Sequence, residues 1–482
     1  MMKLSSARLV SRSAVERWAE EADVIVVGLG AAGACAALAA VEQGGRVVAL
    51  ESAEVAGGTS ARSSGQLYLG GGTALQRRCG FDDSPAEMAK YMKLACGPGA
   101  DEEKIELYCR ESAEHYDWLV ARGVPFRDSF VPTTVATNPP GDDGLTYTGS
   151  ELAYPYRDQA VPAPRGHNVK DQGDSGAVLM RALLQEVERA RVDVRTEATV
   201  VALVVDEGSG RIVGVGVQHG EEREWMRAAG GVVIATGGFG FNRDMLARYA
   251  PRLLRCSPVG TPFEDGLGIV LGMAAGGDAV RMDAGCVILP YSKPRSLTKG
   301  VLVNSLGDRF VAEDVYQADH GDIALNRQEG VVYLIVDDAV FETPQLPFPV
   351  LGTADTYEAL SDELGLPRGR LSATMATYND GAARGEDPLF RKSQDFVVPL
   401  TKPPFRAIDL RVTTFPYPFF TLGGLRTTCD GEVMTPDGEV VPGLFAAGRS
   451  TSGLPADGYN SGMSLADATY FGRRAGHFAA AG

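Results

Sequence analysis

The unbroken apolar run Val24-Ile25-Val26-Val27 has the length and β-branched content of a buried strand, and it stops at Gly28-Leu29-Gly30-Ala31-Ala32-Gly33. Residues 34–43 are alanine-rich and predict a helix, and residues 46–50 predict a second strand that ends at Glu51. Together they make one βαβ unit of about thirty residues. Farther along, residues 199–206 and 211–218 are two β-rich runs joined by Glu207-Gly208-Ser209-Gly210, which predicts a hairpin. Residues 231–234 predict another buried strand, this one running into Ala235-Thr236-Gly237-Gly238. Residues 285–415 change character, with more proline and aromatic residues and amphipathic helical stretches such as 355–364. Residues 443–476 then return to strand, glycine loop and helix. This order predicts an α/β nucleotide-binding domain, residues 1–284 and 416–482, with a second α+β domain inserted over 285–415. Residues 1–20 are expected to be a short helical lead-in.

Composition narrows the function classes. A net charge of −16 over 482 residues argues against nucleic acid or an anionic membrane as partner. The uncharged run 24–41 is long enough to suggest a membrane span, yet it is poor in Leu, Ile and Phe. Its upstream flank, Glu20-Glu21-Ala22-Asp23, is acidic where a secretion signal would be basic. No integral membrane segment is expected. The seven cysteines are scattered without a CxxC pair, so no metal site is expected and a reducing, cytoplasmic location fits. The 59 glycines, about one residue in eight against a usual ~7%, cluster in short motifs and point to backbone packed against a ligand.

The glycine spacing carries the chemistry. Gly28 allows the tight turn, Gly30 lets a pyrophosphate reach the backbone, and Gly33 permits close packing of helix on strand. The helix N-terminus offers unpaired N–H groups to phosphate, and Glu51 is placed to accept both ribose hydroxyls. A second glycine-and-hydroxyl loop follows directly, residues 57–65, with Gly58, Thr59, Ser60, Ser64 and Gly65. It suits FAD rather than NAD, because the flavin half of a longer ligand needs its own backbone and hydroxyl donors. Gly462, Ser464 and Leu465, at the start of the last predicted helix, would aim a second helix N-terminus at the flavin N1/C2 carbonyl edge.

These motifs resemble, over nearly the full chain, the flavoproteins grouped with fumarate reductase and the 3-ketosteroid dehydrogenases, and within that group the Δ4-(5α) type. The resemblance rests on the GxGxxG–Glu51 unit, the 57–65 loop, Ala235-Thr236-Gly237-Gly238, Tyr68-Leu69-Gly70-Gly71-Gly72-Thr73, Pro162-Ala163-Pro164-Arg165-Gly166-His167, Thr421-Leu422-Gly423-Gly424-Leu425-Arg426 and Gly443-Leu444-Phe445-Ala446-Ala447-Gly448-Arg449. It implies a Rossmann-like FAD-binding domain of the glutathione-reductase type with an inserted, substrate-capping catalytic domain. It adds Ala32, Val200, Ala235, Thr236, Gly237 and Gly448 to the expected cofactor set. The implied reaction is α,β-dehydrogenation of a saturated cyclic ketone, with one carbon losing a proton and the next giving a hydride to flavin N5. Tyr459 would hydrogen-bond the ketone oxygen, Ser461 would take the proton, and Tyr316 would assist it.

Departures from the steroid pattern leave rivals open. Ser60-Ala61-Arg62-Ser63-Ser64-Gly65-Gln66 has no histidine for a covalent flavin link, so FAD is expected to be noncovalent. The aromatic cluster over residues 415–420 is bulkier than the steroid pattern and is expected to wall the substrate pocket; Tyr154-Pro155-Tyr156 is either core or wall. A shorter pocket would suit a smaller ring such as cyclohexanone or 4-oxocyclohexanecarboxylate, with Arg62, Arg165 or Arg449 on the carboxylate. The motifs are also compatible with a fumarate-reductase-type enzyme and with a flavin-binding protein that does not turn over. His115 is expected to be structural, and His167 to line the active-site entrance. With no haem or cluster motif, the electron acceptor is expected to be external: oxygen, a quinone or a carrier.

Overall fold

The computed structural model describes residues 8–134, 144–169, 175–220 and 222–482. Strand β1 (Arg8–Ser11) is followed by the predicted unit, β2 (Glu20–Val27), helix α1 (Ala31–Glu42) and β3 (Val47–Leu50). β2 and β3 run parallel, with Val24 beside Val47 and Val27 beside Leu50. On the other side of β2 the strand Glu222–Ile234 is also parallel, Ile234 beside Val27, and Ala446 lies beside Ile234 in turn. Leu50, Val27, Ile234 and Ala446 therefore end in one row. Whatever lies beyond that row meets four strand ends, and in open parallel sheets this is where ligands bind.

The strand Glu222–Ile234 serves three partners. Its first half pairs antiparallel with Ile212–His219, which pairs in turn with Thr199–Val205 as the predicted hairpin. Its last residues, Val232–Ile234, pair on that edge with Val440–Ala446 instead, while β2 runs along the other edge on both sides of a register break between Ala228 and Gly231. Among the described residues the expected helical lead-in is reduced to a single 3-10 turn at Arg12–Ala14. Residues 8–11 form β1, parallel to Thr199–Val205 with Arg8 beside Ala202, because an open strand edge offers ladder hydrogen bonds that a short isolated helix lacks. Residues 1–7 lie outside the described residues.

The uncharged run 24–41 is β2 plus most of α1, and among the described residues no helix is long and apolar enough to cross a membrane. The alanines have a packing reason. Helix α1 lies against the C-terminal helix Met463–Ala481, where a Cβ on Gly476 would sit 1.9 Å from the Ala36 carbonyl oxygen and one on Gly472 2.3 Å from that of Ala32. Only small residues let two backbones come this close.

The segment from Val301 to Asp409 carries a separate four-stranded antiparallel sheet, in the order Val301–Asn304, Val332–Val336, Phe405–Asp409, Val350–Ala354. The amphipathic stretch near 355–364 is the helix Tyr357–Leu364, N-capped by Thr356. A small sheet joins this region to the rest, with Pro418–Thr421 between Ser257–Pro258 and Gly285–Val287.

Candidate active site

A cavity of about 530 Å³ runs from the row of strand ends to the start of the C-terminal helix. One end is built by the βαβ unit. Gly28 has φ +93°, and a Cβ there would lie 2.6 Å from the Ala235 carbonyl oxygen, so only glycine holds this turn. Helix α1 opens at Gly30 with no side-chain cap. Its first N–H, on Ala31, donates to Ser60 Oγ at 3.1 Å, which ties the 57–65 loop and its short helix α2 (Gly58–Ala61) to the same cradle. The buried Glu51 carboxylate accepts from the Leu29 N–H and the Ala53 N–H, each at 2.9 Å. Each oxygen keeps a second lone pair for a ribose hydroxyl.

At the other end, Gly462 N-caps the C-terminal helix with φ +90° and no side-chain cap bond, and a Cβ there would lie 2.7 Å from the Tyr68 amide nitrogen. Two helix N-termini thus face one elongated cavity, and this fits a ligand with a pyrophosphate at one end and an electron-rich ring edge at the other. Glycines stand where a side chain would collide, and a buried carboxylate stands at the strand ends with lone pairs to spare for hydroxyls. The residues present fit FAD.

Tyr459, Ser461 and Tyr316 meet beside this second terminus. Tyr459 and Ser461 come from the turn leading into the C-terminal helix, whereas Tyr316 N-caps the helix Gln317–Arg327. The Tyr459 and Tyr316 rings are 6.4 Å apart, and Phe420 meets Tyr459 edge-on at 5.1 Å. The Ser464 N–H donates to the Tyr459 oxygen at 3.3 Å. Burial pushes the Tyr459 phenol up to about 12, with Cys286 adding to the shift and Ser464 opposing it. Burial likewise raises Tyr316 well above its ordinary value, and its hydrogen bond with Ser461 opposes this. Both phenols are neutral donors at physiological pH.

The expected cofactor residues line this cavity with two exceptions. Gly33 lies behind it, packing α1 on the Gly28 carbonyl, and Gly65 packs on Ser175 and Gly176. His167 does not line an entrance. It is fully buried in the strand Gly166–Asn168, bonded to Thr73 Oγ1 at 2.8 Å and to the Arg165 carbonyl at 3.0 Å, and burial lowers it to about 4. His115 is structural, bonded to Thr469 Oγ1 at 2.9 Å inside the core. Arg165 is also buried and holds both Asp83 oxygens, at 2.8 and 3.0 Å, so it is no carboxylate receptor. Of the 415–420 cluster only Phe420 reaches the cavity; Phe415 packs on Phe348, and Tyr417 and Phe419 are core. The segment from Val259 to Asp265 and the side chains of Gln66, Ile288 and Gln317 also line it, and sequence reasoning passed over them. The signal was faint: Gly260 lies inside that segment with φ +134°, and Gly266 follows it.

A second cavity, of about 160 Å³, lies on the far side of Tyr459, with Tyr156, Asp319, Asp322 and Asp457 in its wall. Tyr156 thus belongs to this wall and not to the larger cavity. Burial pushes the Asp319 carboxyl up to about 7 and Asp322 adds to this, while hydrogen bonds from Ser150 and Tyr156 restrain it. The native state therefore keeps a proton on Asp319 that the unfolded chain releases at lower pH. Stability is lost as pH rises from the ordinary carboxylate range through about 7, and it levels off above. Asp319→Asn cannot ionise, so its Tm advantage over wild type should widen from pH 5 to pH 8. Parallel thermal denaturation curves check this, and a gap that stays constant with pH refutes it.

Comparison with known proteins agrees with this geometry. A family model described as FAD binding domain matches residues 23–465. The 3-oxo-5-alpha-steroid 4-dehydrogenase of Comamonas testosteroni is 30% identical over 497 residues, covering 90% of this chain and 93% of that one. The probable fumarate reductase Ifc3 of Shewanella frigidimarina is 27% identical, covering 96% of this chain and 75% of that one. The crystal structure of 3-ketosteroid-Δ4-(5α)-dehydrogenase from Rhodococcus jostii RHA1, in complex with 4-androstene-3,17-dione, superposes with a TM-score of 0.94 at 43% identity, covering 98% of this chain and 99% of that chain.

Proposed function

Because the chain belongs to the FAD binding domain family, as an FAD-dependent oxidoreductase acting on CH–CH bonds, we propose that it desaturates a saturated cyclic ketone next to the carbonyl, and that the ketone is a 3-ketosteroid of the 5α type. One observation carries this reading: Tyr459, Ser461 and Tyr316 converge in one cavity beside the N-terminus of the C-terminal helix, where Ile288 and Phe420 supply apolar wall. Bound FAD supplies the hydride acceptor at N5.

The rest falls to the chain's own residues. The Tyr459 oxygen accepts the Ser464 N–H, which leaves the phenol hydrogen to donate to a ketone oxygen. That donation strengthens as enolate charge builds, and the helix terminus beneath it adds its own field. Ser461 takes the α-proton. As it does so it hands its own hydroxyl proton along its hydrogen bond to Tyr316, whose phenol proton leaves for water in the cavity, so that no charge stays on either residue. Residues 285–415 form the cap, contributing Ile288, Tyr316 and Gln317. Reoxidation falls to an external acceptor.

Relatives fit the same reading. The Rhodococcus structure holds a 3-ketosteroid, and the Comamonas relative is named for oxidising one. A fumarate-reductase-type enzyme is expected to clamp a dicarboxylate with histidine and arginine, and among the described residues no histidine lines the cavity, which weighs against that reading. The test is anaerobic mixing of oxidised enzyme with one ketone at a time while flavin absorbance is followed. A 5α-3-ketosteroid should bleach it and 4-oxocyclohexanecarboxylate should not. Bleaching by the small ring alone overturns the steroid assignment; bleaching by neither, with reduced enzyme reoxidised by fumarate, overturns the desaturase.

A further inference from the structure

Arg62 and Arg449 are the two cations that line the main cavity among the described residues. Arg62 is exposed and sits on the loop after α2, near the Ser60 that binds the start of α1. Arg449 faces the reactive end. Its guanidinium carbon lies 5.2 Å from the centre of the Phe420 ring, the same ring that meets Tyr459.

The Arg449 charge is already taken. Its Nη2 pairs with Oε1 of Glu264, a side chain only 4% exposed that also lines the cavity. The pair is not saturated: Arg449 Nε and Glu264 Oε2 are both buried without a hydrogen-bond partner. Room for the carboxylate comes from Gly237 and Gly260, where a Cβ would approach Glu264 Cγ to 3.2 Å and Oε2 to 3.1 Å respectively. The backbone holds it in place, with the Glu264 N–H bonded to the Thr261 carbonyl at 3.1 Å and the Phe241 N–H bonded to the Glu264 carbonyl at 3.1 Å.

A largely buried guanidinium without a counter-ion recruits any anion that can reach it. With Glu264 in place the local charge is zero, and a carboxylate entering beside Phe420 would set two anions around one cation. A neutral ketone meets no such cost. We propose that Glu264 is a specificity-determining residue, which neutralises Arg449 beside the reactive tyrosine so that the site rejects anionic ring ketones and admits neutral ones. Removing its charge exposes an anion subsite on Arg449. The proposal rests on the ketone-desaturase reading for its substrate class, but its test reads binding rather than turnover.

FAD-loaded enzyme is titrated with 4-oxocyclohexanecarboxylate and with the neutral 4-methylcyclohexanone, following the shift in flavin absorbance. Wild type should favour the neutral ketone by at least ~10-fold, the scale of one charge-assisted contact. In Glu264→Gln the affinity ratio should move towards the carboxylate by at least ~10-fold, and in Glu264→Gln/Arg449→Met that gain should vanish. Equal affinities in wild type overturn the proposal even if no variant can be purified with FAD. So does a Glu264→Gln ratio that stays put, or a gain that survives loss of Arg449. Failure of a steroid to bleach the flavin would sink the substrate assignment and leave these binding ratios standing.

Discussion

Replacing Tyr459 with Phe should leave a yellow protein with its full complement of FAD, in which the ketone reduces the flavin ~10²- to 10³-fold more slowly, the loss typical of removing one oxyanion-hole donor. The two properties separate because Tyr459 and the cofactor cradle are different parts of the cavity. On the proposed reading Glu51, the turn at Gly28 and the N-terminus of α1 hold the nucleotide, and no hydrogen bond or ring contact joins the phenol to them. The substitution deletes one oxygen and keeps the ring against Phe420. It removes the hydrogen that a developing enolate needs, and it leaves the Ser464 N–H without its acceptor. Stopped-flow reduction under anaerobic conditions reads the rate, and the ratio of flavin to protein absorbance reads occupancy. A loss below ~10-fold would move the oxyanion role to backbone donors. Loss of the cofactor would instead make Tyr459 part of the flavin cradle. The sign of the phenol's shift matters here: raised to about 12 by burial, Tyr459 stays protonated across the working range, so no activity limb near neutral pH should follow its ionisation.

The parts of this architecture that could be read from the sequence are those set by short-range spacing. The apolar run before Gly28, the Gly28–Gly33 interval and the carboxylate at Glu51 lie within one local unit, and the structure forms that unit with the expected roles for the turn and the packing glycine. The features that escaped depend on partners far away in the chain. The alanines of α1 read like a weak membrane span until Gly472 and Gly476 are seen packed on them. His167 sits in what reads as a Pro/Gly loop, but pairing with Gln66–Tyr68 carries it into the core, where it has no access to a ligand. Arg165 and Arg449 look equally free in sequence. Their counter-charges, Asp83 and Glu264, lie 82 and 185 residues away and decide which of them can answer a ligand. The aromatic run from Phe415 to Phe420 is split by strand alternation and turns, so one of its side chains faces the cavity and the rest pack inward.

Gly33→Ala should have the largest effect on the cofactor, although Gly33 lines no part of the cavity. Its backbone is unstrained, so the effect is wholly steric: the added Cβ would stand 1.9 Å from the Gly28 carbonyl oxygen and 3.3 Å from Val26 Cγ1. Helix α1 has little room to shift, because Ala32 and Ala36 on its adjoining face already touch Gly472 and Gly476. Relief therefore requires the Gly28 turn itself to move, and that turn positions the pyrophosphate end of the site. Overpacking of this kind costs about 1–3 kcal/mol or more where backbone is the obstacle. Gly33→Ala should be purified with little or no FAD and a lowered Tm, and excess FAD should recover only part of that Tm by mass action. Gly44→Ala is the matched control. It has φ +86° and nothing within 4 Å of its Cβ, so it bears backbone strain of about 1 kcal/mol while leaving the cradle alone, and it should keep its flavin. Full FAD occupancy in Gly33→Ala, with a Tm matching the Gly44→Ala control, would show that α1 has freedom the packing denies it, and that the cofactor is held mainly from the 57–65 loop.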